Sequence, residues 1–305
     1  MFNSVHLISL IFLSLFSSSN SNIETFEDYC INEENELILQ NCRPQAEFSY
    51  STDPQYLSGF EELLVPVVFW GVNRDDGSSD DPLTLDKIQQ SLQLLNSAFK
   101  EMKIKFVIDE FKTINSTEIY WTDYLSFSRY LKKNALICDD ALNIYVPYKF
   151  TNFDNNLRGG KWNWNQLGVN MLNYKTGILP HEVGHIFGLQ HMHSGDKSVN
   201  CERVTRDKNS PEYNANCSGD MVTDTNAMPN MYSSFHLITD NCEYTGKLKN
   251  CKGELYQVTE NDIRNFMGYT QHDCRSIFTV GQGIRAREYI QKYSKQNKYQ
   301  YVLKE

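Results

Sequence analysis

The stretch His181-Glu-Val-Gly-His-Ile-Phe-Gly-Leu-Gln-His191 places three histidines in a spacing that governs the interpretation of the whole chain. Residues four apart on a helix lie on one face, with Cβ atoms about 5–6 Å apart, so His181 and His185 can point at one spot. His191 comes six residues later, and a straight helix would turn it about 120° away. Gly188 resolves this conflict, because a glycine can adopt a left-handed conformation, end the helix and turn the chain back.

Three histidines that converge in this way are typical ligands of a catalytic zinc ion. Neutral imidazole binds zinc at about 2.0–2.1 Å, and catalytic sites combine three protein ligands with a fourth position for water. Glu182 follows the first histidine, where its carboxylate can take a proton from an attacking water and deliver it to a leaving amine. His-Glu-x-x-His alone also occurs on helices that bind nothing, but here the glycine and the third histidine are present as well. The sequence therefore predicts zinc held by His181, His185 and His191, with Glu182 as a catalytic residue.

Pro180 indicates where this helix begins. Inside a helix, proline removes a hydrogen bond and clashes with the preceding turn, which costs about 3 kcal/mol, but it is tolerated in the first turn. The helix is therefore predicted to start at about Ile178 or Leu179, with the histidines close to its N-terminus.

Composition and charge exclude several classes of partner. The chain has 305 residues, 40% of them hydrophobic, and a net charge of −9. This charge argues against nucleic acid or an anionic membrane as the main partner. The sequence carries no indication of the oligomeric state.

The N-terminal residues suggest export. Residues 7–16 are apolar except for two serines and precede small polar residues, as in a secretory signal peptide, although no lysine or arginine comes before them. No later stretch approaches the about 20 apolar residues of a transmembrane helix. We expect a secreted protein with a signal peptide at residues 1–20 and no stable membrane anchor. A buried strand or helix is the alternative for the apolar stretch.

The residues before the histidine motif alternate between strand and helix patterns. β-rich runs predict strands at residues 64–69, 104–108, 142–146 and 167–172, and Pro66 indicates an edge strand or the start of a strand. Thr84 is a suitable N-cap for a helix whose apolar residues recur at a spacing of three and four. This order of elements predicts an α/β fold.

The residues after the motif have a different character. Residues 194–261 are rich in Asn, Asp, Ser and Cys and contain four of the eight cysteines, an even number that suits an oxidising compartment. We expect disulfides to tether this long segment. Thr279 is predicted to cap a last helix, and the polar residues after that helix are predicted to fray.

Asn265-Phe-Met-Gly-Tyr269 follows the zinc motif, and the two together resemble the metzincin clan of zinc peptidases. The resemblance implies that Met267 forms an apolar floor beneath the zinc site, for which an ordinary core methionine is the alternative. Tyr269 resembles the tyrosine of this turn that can swing toward zinc and stabilise an oxyanion. A purely structural tyrosine is equally compatible with the sequence.

Within the clan, the chain is most similar to the pappalysin family over about residues 61–292. The similarity rests on weaker features that occur in the family's order, namely Val-Val-Phe69, Leu-Asn-Ile-Tyr145, Gly219-Asp-Met-Val-Thr-Asp-Thr225 and Phe278-Thr-x-Gly-Gln282 with Arg285.

The resemblance implies a metzincin-like α/β (α+β) metallopeptidase of two subdomains with zinc at the base of a cleft. Residues 61–191 would form the upper subdomain, with a twisted mixed sheet and the zinc helix. Residues 192–292 would form an irregular, disulfide-tethered lower subdomain with the methionine turn and a final helix. A prosegment or irregular lead-in at residues 21–60 and a polar tail at residues 293–305 complete this map.

Substrate and calcium binding are further implications of the resemblance. A protein or peptide substrate would pair in extended form with an edge strand, which we expect at residues 167–172. Asp220, Asp224 and Thr225 would supply oxygen ligands to calcium, for which a solvated acidic loop is the alternative.

Latency is the last implication. Zymogens of the family can be held inactive by a prosegment cysteine on zinc, often followed by glycine, but Cys30 precedes isoleucine and Cys42 precedes arginine. If Cys30 pairs with Cys42, the remaining six cysteines can form three bridges. We favour this disulfide over a cysteine bound to zinc.

The sequence thus predicts a secreted zinc-dependent endopeptidase. One alternative is a secreted binding protein on a peptidase fold without turnover, against which the intact Glu182 and three histidines argue. Another is a zinc hydrolase of small substrates, whose closed pocket would refuse an unfolded protein.

Overall fold

The computed structural model describes residues 42–151, 159–196, 201–296 and 298–304. The predicted signal peptide and residues 21–41 of the predicted lead-in lie outside these ranges. Within them, no helix has the length and apolar character that a membrane span requires.

A twisted mixed sheet of six strands forms the centre of the fold. The strands of the chain are β1 (Leu63–Asn73), β2 (Ile104–Asn115), β3 (Trp121–Asp123), β4 (Leu142–Val146), β5 (Lys149–Thr151), β6 (Gly159–Asn163), β7 (Gln166–Val169) and β8 (Leu303–Lys304). The main sheet has the order β2-β1-β4-β7-β6, and β8 pairs with β1. The β1, β2, β4 and β7 pairings are parallel, whereas β6 and β8 pair antiparallel to their neighbours. β3 and β5 form a separate parallel pair. The predicted α/β class and mixed sheet are confirmed.

Three of the α-helices lie where the sequence predicted them. The α-helices of the described residues are α1 (Pro54–Ser58), α2 (Leu85–Ala98), α3 (Thr117–Tyr120), α4 (Tyr124–Lys133), α5 (Ile178–Ile186), α6 (Glu260–Arg264) and α7 (Val280–Ser294). The three predicted helices are α2, α5 and α7. Thr84 caps α2 and Thr279 caps α7, both through the side-chain oxygen, as predicted. α5, which carries the histidine motif, begins at Ile178, so Pro180 lies in its first turn.

The sheet separates two apolar clusters. Along β4, Leu142, Ile144 and Val146 belong to the larger cluster, whereas Tyr145 belongs to the smaller one. Since successive residues of a strand point to opposite faces, the clusters lie on opposite sides of the sheet. The larger cluster includes buried residues of α2, α5 and α7, so the histidine helix packs on this side.

The expectation that Pro66 marks an edge strand or a strand start is wrong. β1 lies inside the sheet between β2 and β4. Pro66 pairs with Val107 of β2, but on the other edge β8 pairs only with Leu63 and Leu64, and β4 pairs only from Val67 onward. Because Pro66 lies in the gap between these two ladders, its missing N–H breaks neither of them.

The predicted substrate strand at residues 167–172 is also wrong. β7 ends at Val169, and Met171–Asn173 form a 3₁₀ turn. Both edges of β7 are occupied, one by β4 and one by β6. No described strand pairs with the outer edge of β6, so β6 is the edge strand on this side of the sheet.

Three disulfides tether the segment after the motif, namely Cys42–Cys217, Cys201–Cys251 and Cys242–Cys274. The predicted tethering is confirmed, but the predicted Cys30–Cys42 pair is wrong. Cys42 instead joins the chain before β1 to the segment after the motif. Cys138 is a free cysteine among the described residues, which do not include Cys30.

The chain outside the predicted catalytic region is packed against it at both ends. On the N-terminal side, Glu47 forms an ion pair with Lys292 at 2.6 Å, and the Arg285 guanidinium lies 4.4 Å from the centre of the Phe48 ring. On the C-terminal side, Tyr299 and Tyr301 are each only 2% exposed. The expectation that the residues after the last helix fray is therefore wrong. The segment is polar in composition, but its two tyrosine rings are buried and anchor it to the fold.

Candidate metal centre and active site

The end of α5 shows how the chain brings the third histidine back to the first two. Gly188 has a φ of +80°, in the left-handed region that the sequence predicted for it. The Leu189 N–H donates to the Gly184 carbonyl at 3.0 Å, and the Gly188 N–H donates to the His185 carbonyl at 3.1 Å. These two bonds form a Schellman motif, which ends the helix and reverses the chain.

The three histidines of the motif converge on one point. The Nε2 atom of His181 lies 3.1 Å from that of His185 and 3.2 Å from that of His191, and the last two atoms are 2.9 Å apart. All three side chains are buried. Two nitrogens bound to one zinc ion at about 2.0–2.1 Å in a tetrahedral arrangement lie roughly 3.4 Å apart, so the observed triangle needs only a small expansion.

Hydrogen bonds on the far side of two rings orient this triangle. The Nδ1 atom of His181 lies 2.6 Å from the Phe266 carbonyl, and that of His185 lies 2.8 Å from the Leu189 carbonyl. A carbonyl can only accept, so each Nδ1 carries the proton and each Nε2 directs a lone pair at the common point. Facing lone pairs repel unless a cation lies between them. The donor set therefore fits a metal ion.

Burial keeps these imidazoles neutral. It lowers the pKa of His185 to about 3 and those of His181 and His191 well below the ordinary histidine value. Neutral imidazole is the form that binds metal ions. The three side chains are thus ready to act as ligands at neutral pH.

Glu182 lies beside the histidines with a carboxylate that the protein leaves unsatisfied. The side chain is 5% exposed, and its Oε2 atom has no hydrogen-bond partner. Burial raises the pKa of Glu182 to about 8, although the positive charges of Arg275 and Lys161 oppose this shift. A buried carboxylate oxygen without a partner is costly to the fold, which points to a role in chemistry.

Met267 packs against the histidine helix at Gly184. It is fully buried, and its Sδ atom lies 2.6 Å from the position that a β-carbon on Gly184 would occupy. The Met267 carbonyl also accepts a hydrogen bond from the Met192 N–H at 3.2 Å, next to the third histidine.

Two polar residues that support the methionine turn were not singled out as a pair by sequence reasoning. Asn265 and Gln282 exchange side-chain hydrogen bonds of 2.8 and 3.1 Å, and both are buried. The Asn265 Oδ1 atom also accepts from the Met267 N–H at 2.9 Å. Each residue belongs to a motif on which the pappalysin resemblance rests. The sequence does not show, however, that these two positions 17 residues apart are in contact.

Tyr269 stands at the metal site, in a stack of rings. Its ring centre lies 4.4 Å from that of His191 and 5.9 Å from that of His181. His193, which no sequence motif indicated, packs against both His191 and Tyr269. Its ring centre lies 4.8 Å from that of His191 and 4.4 Å from that of Tyr269. The tyrosine is thus close to the three histidines of the motif.

The residues expected to bind calcium are only partly brought together. The Asp220 Oδ1 atom accepts from the Thr225 hydroxyl at 2.9 Å and the Val222 N–H at 3.0 Å, while its Oδ2 atom is buried without a partner. Asp224 instead caps the start of α7, where it accepts from the Thr279 hydroxyl and the Gly281 N–H.

Glu202 is the acidic neighbour of Asp220 that the sequence did not reveal. It is 4% exposed, and its carboxylate lies against Gly219, where a β-carbon would meet Oε2 at 2.1 Å. Its Oε1 atom pairs with Arg206 at 3.0 Å. Burial raises the pKa of Asp220 to about 7 and that of Glu202 well above its ordinary value.

Comparisons with known proteins agree with this geometry. A family model described as pregnancy-associated plasma protein-A, of peptidase family M43, matches residues 154–291. An extracellular metalloprotease of Sordaria macrospora is 27% identical over 246 residues, or 76% of each chain. One of Neurospora crassa is 26% identical over 249 residues, also 76% of each chain. Among solved structures, mirolysin in complex with a small compound aligns with a TM-score of 0.52 at 18% identity, over 79% of this chain and 96% of its own.

The histidine triad and these matches identify the chain as a metallopeptidase, and its fold is similar to that of mirolysin. The match to residues 154–291 agrees with the resemblance to the pappalysin family that the sequence motifs indicated.

Proposed function

We propose that this metallopeptidase is a secreted zinc endopeptidase in which His181, His185 and His191 hold the metal and Glu182 moves the proton. One observation carries the proposal. Three imidazole nitrogens approach one another within 3.2 Å, beside a buried carboxylate oxygen that has no hydrogen-bond partner. Secretion is supported by the extracellular relatives and by the three disulfides.

Zinc is the metal that suits a set of three neutral imidazoles, whereas calcium and magnesium prefer oxygen ligands. When bound, zinc would make water more acidic and polarise the substrate carbonyl. The Glu182 carboxylate accepts the proton of the attacking water and delivers it to the leaving amine. The Tyr269 hydroxyl donates a hydrogen bond to the carbonyl oxygen as that atom gains negative charge, and Met267 packs against the histidine helix.

The substrate would lie along the outer edge of β6. The first residue of that strand, Gly159, is so close to Glu182 that a β-carbon would lie 3.2 Å from the Glu182 Cγ atom. Lys161 of the same strand donates to the His185 carbonyl at 2.9 Å. An extended peptide that adds to β6 by β-augmentation therefore passes directly beside the catalytic carboxylate.

Calcium is proposed to bind between Asp220 and Glu202. Both carboxylates are buried. The Asp220 Oδ2 atom and the Glu202 Oε2 atom have no hydrogen-bond partner, and the Glu202 Oε1 atom has only its ion pair with Arg206. Hard oxygen ligands of this kind suit calcium, and a divalent cation would offset the cost of two neighbouring buried charges. Thr225, which contacts Asp220, is the third proposed calcium ligand. Asp224 is not included, because it caps the start of α7.

The decisive experiment compares wild type with Glu182→Gln and His185→Ala. Glu182→Gln should reduce casein hydrolysis by about 10²–10⁴-fold while one zinc ion per chain remains bound. His185→Ala should lose the zinc, and His236→Ala, at an exposed position, should match wild type. Unchanged hydrolysis by Glu182→Gln would contradict the mechanism. Zinc binding without hydrolysis in wild type would indicate a binding protein, and cleavage of short peptides but not casein would indicate a hydrolase of small substrates.

The calcium proposal has its own test. Calcium added to chelator-treated protein with zinc restored should raise the melting temperature, because a ligand that binds only the folded state stabilises it. Glu202→Gln should abolish this increase without affecting the zinc content. An equal increase in the variant and in wild type would rule out this site.

A further inference from the structure

The C-terminal segment of the chain contacts the end of the histidine helix, although its composition is that of a polar tail. Residues 298–304 follow α7 and end in β8, which pairs with Leu63 and Leu64 at the start of β1. Tyr299 and Tyr301 are both buried, and each hydroxyl donates to a backbone carbonyl of another part of the chain.

Tyr299 contacts the end of the histidine helix. Its hydroxyl donates to the Ile186 carbonyl at 2.5 Å, one of the last carbonyls of α5, which lack partners within the helix. Its ring centre lies 6.3 Å from that of Phe187 and 6.1 Å from that of Tyr289. Tyr289 in turn covers Gly188, where a β-carbon would lie 2.3 Å from the ring. The turn that returns His191 to the metal is thus enclosed by tyrosines of the C-terminal region.

Tyr301 contacts the edge of the sheet. Its hydroxyl donates to the Trp164 carbonyl at 3.1 Å, and the two rings stack at 5.5 Å with an angle of 26°. Trp164 lies in the two-residue turn between β6 and β7. The same short segment therefore holds both the turn that carries the third histidine and the hairpin that carries the edge strand.

We propose that Tyr299 and Tyr301 are positioning residues, through which the C-terminal segment fixes the positions of the third metal ligand and of the substrate strand. Neither hydroxyl touches the histidines, so both act through backbone carbonyls. Tyr299 stabilises the position of the glycine turn and hence the binding of the metal. Tyr301 stabilises the β6–β7 hairpin and hence the binding of substrate. This inference rests on the proposed function, since it assigns residues to the same metal centre and the same edge strand.

Three tyrosine-to-phenylalanine variants test the proposal, because each removes one hydroxyl and keeps the ring. Tyr120→Phe is the matched control, since Tyr120 is buried in the apolar cluster on the opposite face of the sheet and its hydroxyl accepts from the Asp80 N–H at 2.8 Å, away from both the metal site and the β6–β7 hairpin. Tyr299→Phe should lower zinc affinity, measured by competition with a chelator, and kcat by about two- to ten-fold each, the effect of one hydrogen bond. Tyr301→Phe should raise KM by a similar factor of about two to ten at unchanged kcat and zinc affinity. Tyr120→Phe should lower the melting temperature alone.

The outcomes separate this inference from the proposed function. If wild type binds zinc and hydrolyses peptides but all three variants differ only in melting temperature, the tyrosines are merely structural and the positioning role is wrong. If wild type binds no zinc and hydrolyses nothing, the proposed function fails first. Zinc affinity provides a readout independent of turnover, and melting temperature shows that each variant is folded.

Discussion

The sulfur of Met267 lies against the backbone of Gly184, in the middle of the histidine helix, with no space for a side chain between them. A β-carbon on Gly184 would come within 2.6 Å of Sδ, and Met267 is fully buried. Gly184 stands between the two helical ligands, one residue before His185, so this contact sets the height of both imidazoles above the methionine turn. The residue between the ligands is therefore constrained by packing from below.

Gly184→Ala should consequently disturb the metal site. The added methyl group overpacks the core, which typically costs about 1–3 kcal/mol in the free energy of unfolding. We also expect weaker zinc binding, because the helix must rise or Met267 must move. Urea unfolding and chelator competition measure the two effects. In a double-mutant cycle with Met267→Ala, the two changes should be non-additive, and additivity would show that the contact is not the cause.

Gly188→Ala combines two costs that can be separated. The left-handed φ of +80° penalises any other residue by about 1–2 kcal/mol, and the new β-carbon would meet the Tyr289 ring at 2.3 Å. Gly253 has the same φ of +80° with no heavy atom within 4 Å, so Gly253→Ala shows the backbone cost alone. We expect Gly188→Ala to be the more destabilised in thermal denaturation and to be the only one that loses zinc affinity. Equal behaviour of the two variants would mean that Tyr289 adjusts freely.

Local rules predicted the parts of the fold that depend on local chemistry. The cap at Thr84, the start of α5 at Ile178 and the bend at Gly188 each follow from the preference of one residue for one backbone conformation. The convergence of the histidines follows from helix periodicity and that bend. The convergence of the three histidines was therefore predictable from the sequence.

Pairings between distant segments were not predictable in this way. The partner of Cys42 is 175 residues away, and parity of cysteines could not identify it. A strand pattern shows that residues pair but not whether one edge or both are occupied, so β7 was mistaken for the edge strand. Glu202 and Tyr299 became visible only through the side chains that surround them, because neither belongs to a motif.

Asn265→Ala tests the link between the methionine turn and the last helix. It would leave the Gln282 Nε2 group and the Met267 N–H buried without acceptors, and each such group costs about 1–3 kcal/mol. We expect a clear loss in melting temperature together with lower kcat. Asn265→Asp retains the acceptor for the Met267 N–H, so it should recover part of the activity. If Asn265→Asp were no better than alanine, the bond to Met267 would not matter.

Glu254 should make the folded state sensitive to acid. It accepts three hydrogen bonds from Arg203, one at 2.6 Å and two at 3.0 Å, and another from Asn250. The Arg203 side chain lowers the pKa of Glu254 from 4.5 to about 2. Because the pKa is lower in the folded state, the ionised carboxylate stabilises the fold above pH 4.5, and this contribution is lost as the pH falls toward 2.

Glu254→Gln should therefore lower the free energy of unfolding by about 1–2 kcal/mol at pH 7, a value reduced by partial exposure of the pair to water. The difference from wild type should shrink steadily below pH 4.5 and vanish near pH 2. Urea unfolding at pH 7, 4 and 2.5 would follow this trend. Glu260→Gln, which breaks the exposed 2.7 Å pair with Arg264, should have little effect at any pH. A difference between Glu254→Gln and wild type that stays constant down to pH 2.5 would show that the carboxylate charge is not what holds this loop.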